Sequence, residues 1–121
     1  MATISKPAGG SFTIVGSLKN VGTLDLNCWA ATKLTGTGGD ATYAASATFP
    51  LAVGATAAIP FANGGIYIIP QNLAAGNYSV HILVGDNTTP FPTSFQEVDT
   101  GWIITVAAGV KSVEAVSVTV S

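Results

Sequence analysis

Arginine is missing from this 121-residue chain, and its basic charge rests on four lysines against six acidic residues. Arginine is the side chain whose fork fits phosphate and guanine. Without it, and with a formal net charge of −2, the chain lacks the electrostatic footprint of a nucleic-acid-binding protein. The same shortage argues against docking on an anionic membrane. Charged residues of both signs make up 8% of the sequence, where soluble domains average about 25%. The lone cysteine, Cys28, rules out an intrachain disulfide and leaves the redox compartment open. The lone histidine, His81, has no His/Cys/Asp companions at ligand spacing in the sequence. No apolar run approaches the length of a membrane span. The opening MATISKPAGGS holds no apolar signal core, so no secretory leader is expected. Helical periodicity is absent as well.

What is present is alternation. Hydrophobic residues reach 48%, many of them alanine, and threonine, serine and asparagine stand in for the missing charge. The clearest stretch is LAAGNYSVHILV, Leu73 to Val84. Asn72, Gly76 and Asn77 suit a tight turn. Tyr78, Val80, Ile82 and Val84 then share one strand face, with Ser79, His81 and Leu83 on the other. Residues 1–10, with Pro7, Gly9 and Gly10, read as a flexible N-terminal arm, and 11–121 as a single domain. Ser11 to Lys19 alternates around Phe12, Ile14 and Leu18, and Asn20 to Thr23 is a turn. Leu24 to Leu34 places Leu24, Leu26, Cys28 and Ala30 on one parity. Trp29 then falls on the outer face, unless a bulge switches the register. Thr42 to Leu51 is a weak strand, a short one lies around Ala57 to Ile59, and Asn63-Gly64-Gly65 signals a hairpin before Ile66 to Ile69. Gly85 to Phe95 is irregular. Gln96 to Val106 and Lys111 to Val120 close the series. Seven or eight short strands with turns every 8–12 residues or so predict an all-β fold. The expected form is a two-sheet antiparallel β-sandwich of immunoglobulin-like type, with an open Greek-key barrel as the alternative.

Two segments carry a resemblance. FTIVGSLKNVGT (Phe12 to Thr23) resembles the strand and N-x-G turn of CARDB-type adhesion-related domains. LAAGNYSVHILV resembles the L-x-x-G-x-Y signature of those domains and of immunoglobulin-like sandwiches. That resemblance implies a corner at Gly76 and a Tyr78 hydroxyl tied back to nearby backbone. The chain lacks the Cys…Trp…Cys spacing of true immunoglobulin domains. In size and composition it is also similar to the capsid cement, or decoration, proteins of tailed bacteriophages.

The candidate chemical groups all have plainer readings. Cys28 shares the parity of Leu24 and Leu26 and reads as a small buried apolar residue. Glu97 and Asp99 share a strand face and, with Asp86, could contribute oxygens to an ion, but a calcium cage needs six or more. They read instead as a solvent face and a turn former. TGTGGD (Thr35 to Asp40) has no lysine and no following helix, and reads as a loop tip. No nucleophile, base and orienting group assemble from these residues, so no enzyme, cofactor or small-molecule substrate is expected. Phe91 and Phe95 differ from the other aromatics because they lie in a loop, beside Pro90 and Pro92. Exposed apolar loops suit docking on protein.

The function expected is structural. A surface with so few ions is cheaply desolvated against neighbours. A capsid cement or decoration protein of a virion, assembling with itself and with a major capsid or other shell protein, fits best. Its expected contact residues are Ile4 and Pro7 in the arm and Pro90, Phe91, Pro92 and Phe95 in the loop. The alternative is an adhesion or carbohydrate-binding module, placed outside the cell or on its surface once a signal has been removed.

Overall fold

In the computed structural model, which describes residues 2–121, the alternating segments become strands. In order they are β1 (Ala2–Pro7), β2 (Ser11–Thr13), β3 (Ser17–Lys19), β4 (Leu26–Gly36), β5 (Gly39–Thr42), β6 (Phe49–Leu51), β7 (Thr56–Ala58), β8 (Ile66–Ile68), β9 (Gly76–Asp86) and β10 (Gln96–Ala107). The one helical turn among the described residues is a 3-10 turn, Ala62–Gly65, between β7 and β8. The protein is therefore all-β, and its sheets are open. The largest sheet runs β1-β10-β9-β4, and the outer edge of β4 takes β6 along its first half and β5 along its second. All its pairings are antiparallel except β1 with β10, which run parallel. β2 pairs with β8 and β3 with β7 in two small antiparallel sheets.

The periodicity of β9 explains where the core lies. Tyr78, Val80, Ile82 and Val84 are all buried on one face. Phe12, Tyr67 and Ile69 close over the Tyr78 end, against Leu34, Ile104 and Val106. Ile59 and Phe61 close over the other end, against Cys28, Ala30, Phe49 and Leu51. Both small sheets thus cover the same face of the large one. Each large apolar side chain buried there contributes about 1.5–3 kcal/mol of transfer free energy. On the opposite face Trp29, Ala31 and Leu83 form a small cluster with Ala45. Trp29 is outward by simple alternation: the β4–β9 register runs unbroken from Cys28↔Asp86 to Gly36↔Tyr78, so no bulge is needed.

The Tyr78 hydroxyl donates to the Ala74 carbonyl at 2.7 Å and accepts from the Gly38 amide at 2.9 Å. It ties the turn before β9 to the β4–β5 tip, as the L-x-x-G-x-Y pattern implies. Asn20 does similar work at the next turn. Its side chain is buried, donates to the carbonyls of Leu24 and Leu51 at 2.7 and 2.9 Å, and accepts from the Gly22 amide at 2.9 Å.

Four expectations are corrected. Ala2–Pro7, read as part of an arm, is β1, and its backbone is paired along Trp102–Ala107. The alternation of Ile4 against Thr3 and Ser5 is the sequence signal of this strand. Asn63-Gly64-Gly65 is not a hairpin tip. Three residues separate Thr13 from Ser17 on one strand, seven separate Ala58 from Ile66 on the other, and the surplus of four is the turn Ala62–Gly65. Asn63, Gly64 and Gly65 take positive φ (54°, 64° and 79°) to fold that surplus away from a continuous ladder. Leu24 is exposed, because β4 begins only at Leu26. Lys111 to Val120 forms no strand: residues 108–121 lie exposed, and their backbone has no neighbouring strand to bond.

Candidate functional site

The loop from Asp86 to Phe95 is built from its first residue. The Asp86 carboxylate accepts from the Thr88 amide and hydroxyl (2.9 and 2.7 Å) and from the Thr89 amide and hydroxyl (3.1 and 3.2 Å). These donors, the Thr88 hydroxyl first, hold its pKa below the usual carboxylate value. Asp86 Oδ1, offered to an ion in the sequence, is therefore committed to the turn. The Trp29 indole N–H donates to the Thr89 carbonyl at 2.8 Å, and its ring meets Phe91 edge-on at 5.5 Å. Gly85 lies flat beneath that indole, where a Cβ would overlap the ring. Phe95 is pinned by its amide to the Val84 carbonyl at 2.9 Å. Pro90, Phe91, Pro92 and Phe95 are exposed, so the loop presents apolar groups from a braced frame.

A second apolar feature runs along the open side of the molecule. β2 and β3 have partners on one edge only. Between that free edge and β10 lies a cleft of about 430 Å³ floored by Val80, Ile82 and Ile104, with Ile4 and Trp102 on one wall and Val15 on the other. Further along, Leu18 and Val21 face Phe95 and Val98 across a smaller cleft of about 250 Å³. Outward positions that ordinarily carry polar groups are apolar here: Val15 is 89% exposed, Ile68 64%, Ile66 56% and Trp102 47%. Of the expected contact residues, Ile4 belongs to this cleft, Phe95 borders its continuation, and Phe91 sits on the Trp29 face. Pro7 ends β1, at the rim. The six are thus divided among separate places and do not form one patch.

Charge is gathered on the Trp29 face of the large sheet. Lys33 on β4 lies 3.3 Å from Glu97 and 3.5 Å from Asp40. His81 Nδ1 is 2.5 Å from Glu97 and its Nε2 3.7 Å from Asp99. Sequence spacing hid these partners, because β9 and β10 bring residues 81, 97 and 99 together only through pairing. Hydrogen bonding from His81, then from Lys33, lowers the Glu97 pKa, and the Thr35 hydroxyl, then Lys33, lowers that of Asp40. Among the described residues no three His, Cys, Asp or Glu side chains are arranged to hold a metal. Cys28 is buried, and desolvation followed by the charge of Asp86 pushes its thiol pKa up, away from nucleophilic use.

Comparison with protein-family models, with curated proteins and with solved structures finds no match to this chain.

Proposed function

We propose that this chain is a non-enzymatic structural subunit that works by assembly, and that the assembly is a virion shell which it decorates and cements. The observation that carries the reading is the set of exposed apolar side chains, Ile66, Ile68 and Trp102 standing outward on strands and Val15 in the link between β2 and β3. A sheet face turned to water normally alternates to polar residues; here Val15 and Trp102 line one cleft and Ile66 and Ile68 another, and grouped apolar exposure marks a surface that binds. The immunoglobulin-like sandwich is the finer form of the fold we favour. Its support is the placement of both small sheets over one face of the large sheet and the backbone tie of Tyr78.

Phe91 and Phe95 serve this reading as contacts because the loop that holds them is already ordered, so little freedom is lost on docking. Replacing both by serine is expected to weaken self-association or shell binding at least tenfold while leaving the fold intact by circular dichroism, with a fall in stability of about 0.5–1.5 kcal/mol for the lost Trp29–Phe91 contact. Sedimentation of the pure protein, alone and with undecorated capsid shells, reads the result. A chain that stays monomeric at every concentration and binds no shell counts against the reading. Glycan-array binding carried by Trp102 would favour the adhesion or carbohydrate-binding module instead.

A further inference from the structure

We propose that the segment Ala115–Val120 of one copy adds as a strand to the free edge of β2 and β3 in a second copy, with Val116, Val118 and Val120 turned into the open cleft. The inference rests on the assembly reading and names the contact that would build it.

The acceptor is an unfinished sheet edge. The amides of Ile14 and Asn20 donate to Gly65 and Ala55, and the Gly16 carbonyl accepts from Ile59. In an antiparallel ladder successive residues aim their backbone groups at opposite edges. The N–H and C=O groups of Thr13, Val15, Ser17 and Lys19 therefore point to the open side, where no strand lies. Beneath that edge the clefts form an apolar trough, with residues 12–16 opposite 100–104 and residues 18–22 opposite 95–98. A strand laid there would satisfy the edge and roof the trough together. This is strand addition, in which main-chain bonds give affinity and alternate side-chain pockets give specificity.

Among the described residues, the donor is the one alternating segment left without a partner. Val116, Val118 and Val120 fall on one parity and Ser117, Thr119 and Ser121 on the other. All three valines are exposed, although β-branched residues at this period fit a half-buried strand. Charge does not oppose the match: Lys111 and Glu114 precede the inserting residues, and the trough walls are neutral apart from Lys19.

Geometry selects a second copy as donor. The carbonyl of Ala107 accepts from the Ala8 amide, so the segment leaves the sheet beside the start of β2. Both small sheets are antiparallel, and the added strand we propose continues that pattern, so it must begin at the other end, near Lys19. Reaching it from Ala107 means travelling the length of β10, 12 residues and about 40 Å at 3.3 Å per residue. That would use up residues 108–119 before pairing began. A tail arriving from another molecule enters at the correct end. The contact joins unlike surfaces, so its repetition produces a ring or a filament.

The test uses full-length variants. Val15 and the outward residues of the donor, Ser117 and Thr119, would lie across from one another, so V15C is combined with S117C or with T119C; Cys28 is buried and does not compete. Under mild oxidation, one of the two pairs is expected to give a ladder of disulfide-linked multimers. Val118→Asp, at an exposed position that the isolated fold does not use, is expected to weaken association at least tenfold with unfolding unchanged. An intrachain disulfide in a monomer overturns the second-copy donor. Association that persists in Val118→Asp with no disulfide from either pair overturns the strand addition and leaves the assembly reading standing. A protein that never associates and binds no shell overturns both.

Discussion

Tyr78 shows how one hydroxyl can connect segments far apart in sequence. Its bonds to Ala74 and Gly38 join the turn before β9 to the tip between β4 and β5. Tyr78→Phe keeps the buried ring and removes both bonds, leaving the Gly38 amide without that partner. We expect a loss of about 1–3 kcal/mol, read as a lower urea midpoint at unchanged slope. An unchanged midpoint would mean that water replaces the hydroxyl at no cost. Trp29 is the counterpart on the opposite face. Its indole N–H and ring edge hold Thr89 and Phe91, and Gly85 is the residue that lets the ring lie against the strand.

At the scale of the element, β1 carries the sharpest consequence. It pairs with the last six residues of β10 and brings Ile4 against the cluster that contains Ile104. Deleting residues 1–10 is therefore expected to destabilise the fold itself, by about 2 kcal/mol for the uncovered isoleucine and its neighbours. Faster hydrogen exchange at Trp102 to Val106 would report it, and unchanged exchange there would show that β10 holds without its parallel neighbour. The difference between this strand and the arm read from the sequence has a local cause. Proline and two glycines after Lys6 dominate the composition, while the alternation Ile4, Ser5, Lys6 is short and weakly apolar. Long, well-patterned strands were legible: β9 and its buried face follow directly from Tyr78 to Val84, and the outward Trp29 follows from parity. What pairs with what was not legible. Asn63-Gly64-Gly65 has the chemistry of a hairpin tip, yet β7 and β8 both serve the β2–β3 run because the turn absorbs four residues. Val116 to Val120 has the pattern of a strand but pairs with no edge of its own chain. Of the contact residues named from the sequence, Pro7, Pro90, Phe91, Pro92 and Phe95 are exposed whereas Ile4 packs against the core, and the trough between β2–β3 and β10 depends on which strands come to lie side by side.

For the whole molecule, the uneven placement of ions matters more than their number. Lys33, Asp40, Glu97 and Asp99 are four of the ten charged residues and gather with His81 on one face. Glu97 has a folded-state pKa below its unfolded value. Its contribution is therefore fully present above the ordinary carboxylate range and is lost as pH falls through the folded value. Because the side chain is 37% exposed, solvent screening limits that contribution to about 0.2–1 kcal/mol. Urea midpoints measured from pH 7 down to about pH 3 should fall less steeply in Glu97→Gln than in the parent, and identical profiles would show that the pairings are energetically idle. The same gathering of ions gives the body a front and a back. Stripping water from the Lys33–His81–Glu97 cluster is harder than from a neutral patch of equal area, so in the assembly we propose the cluster is expected to stay open to solvent while Phe91, beside Trp29 on the same face, makes its contact.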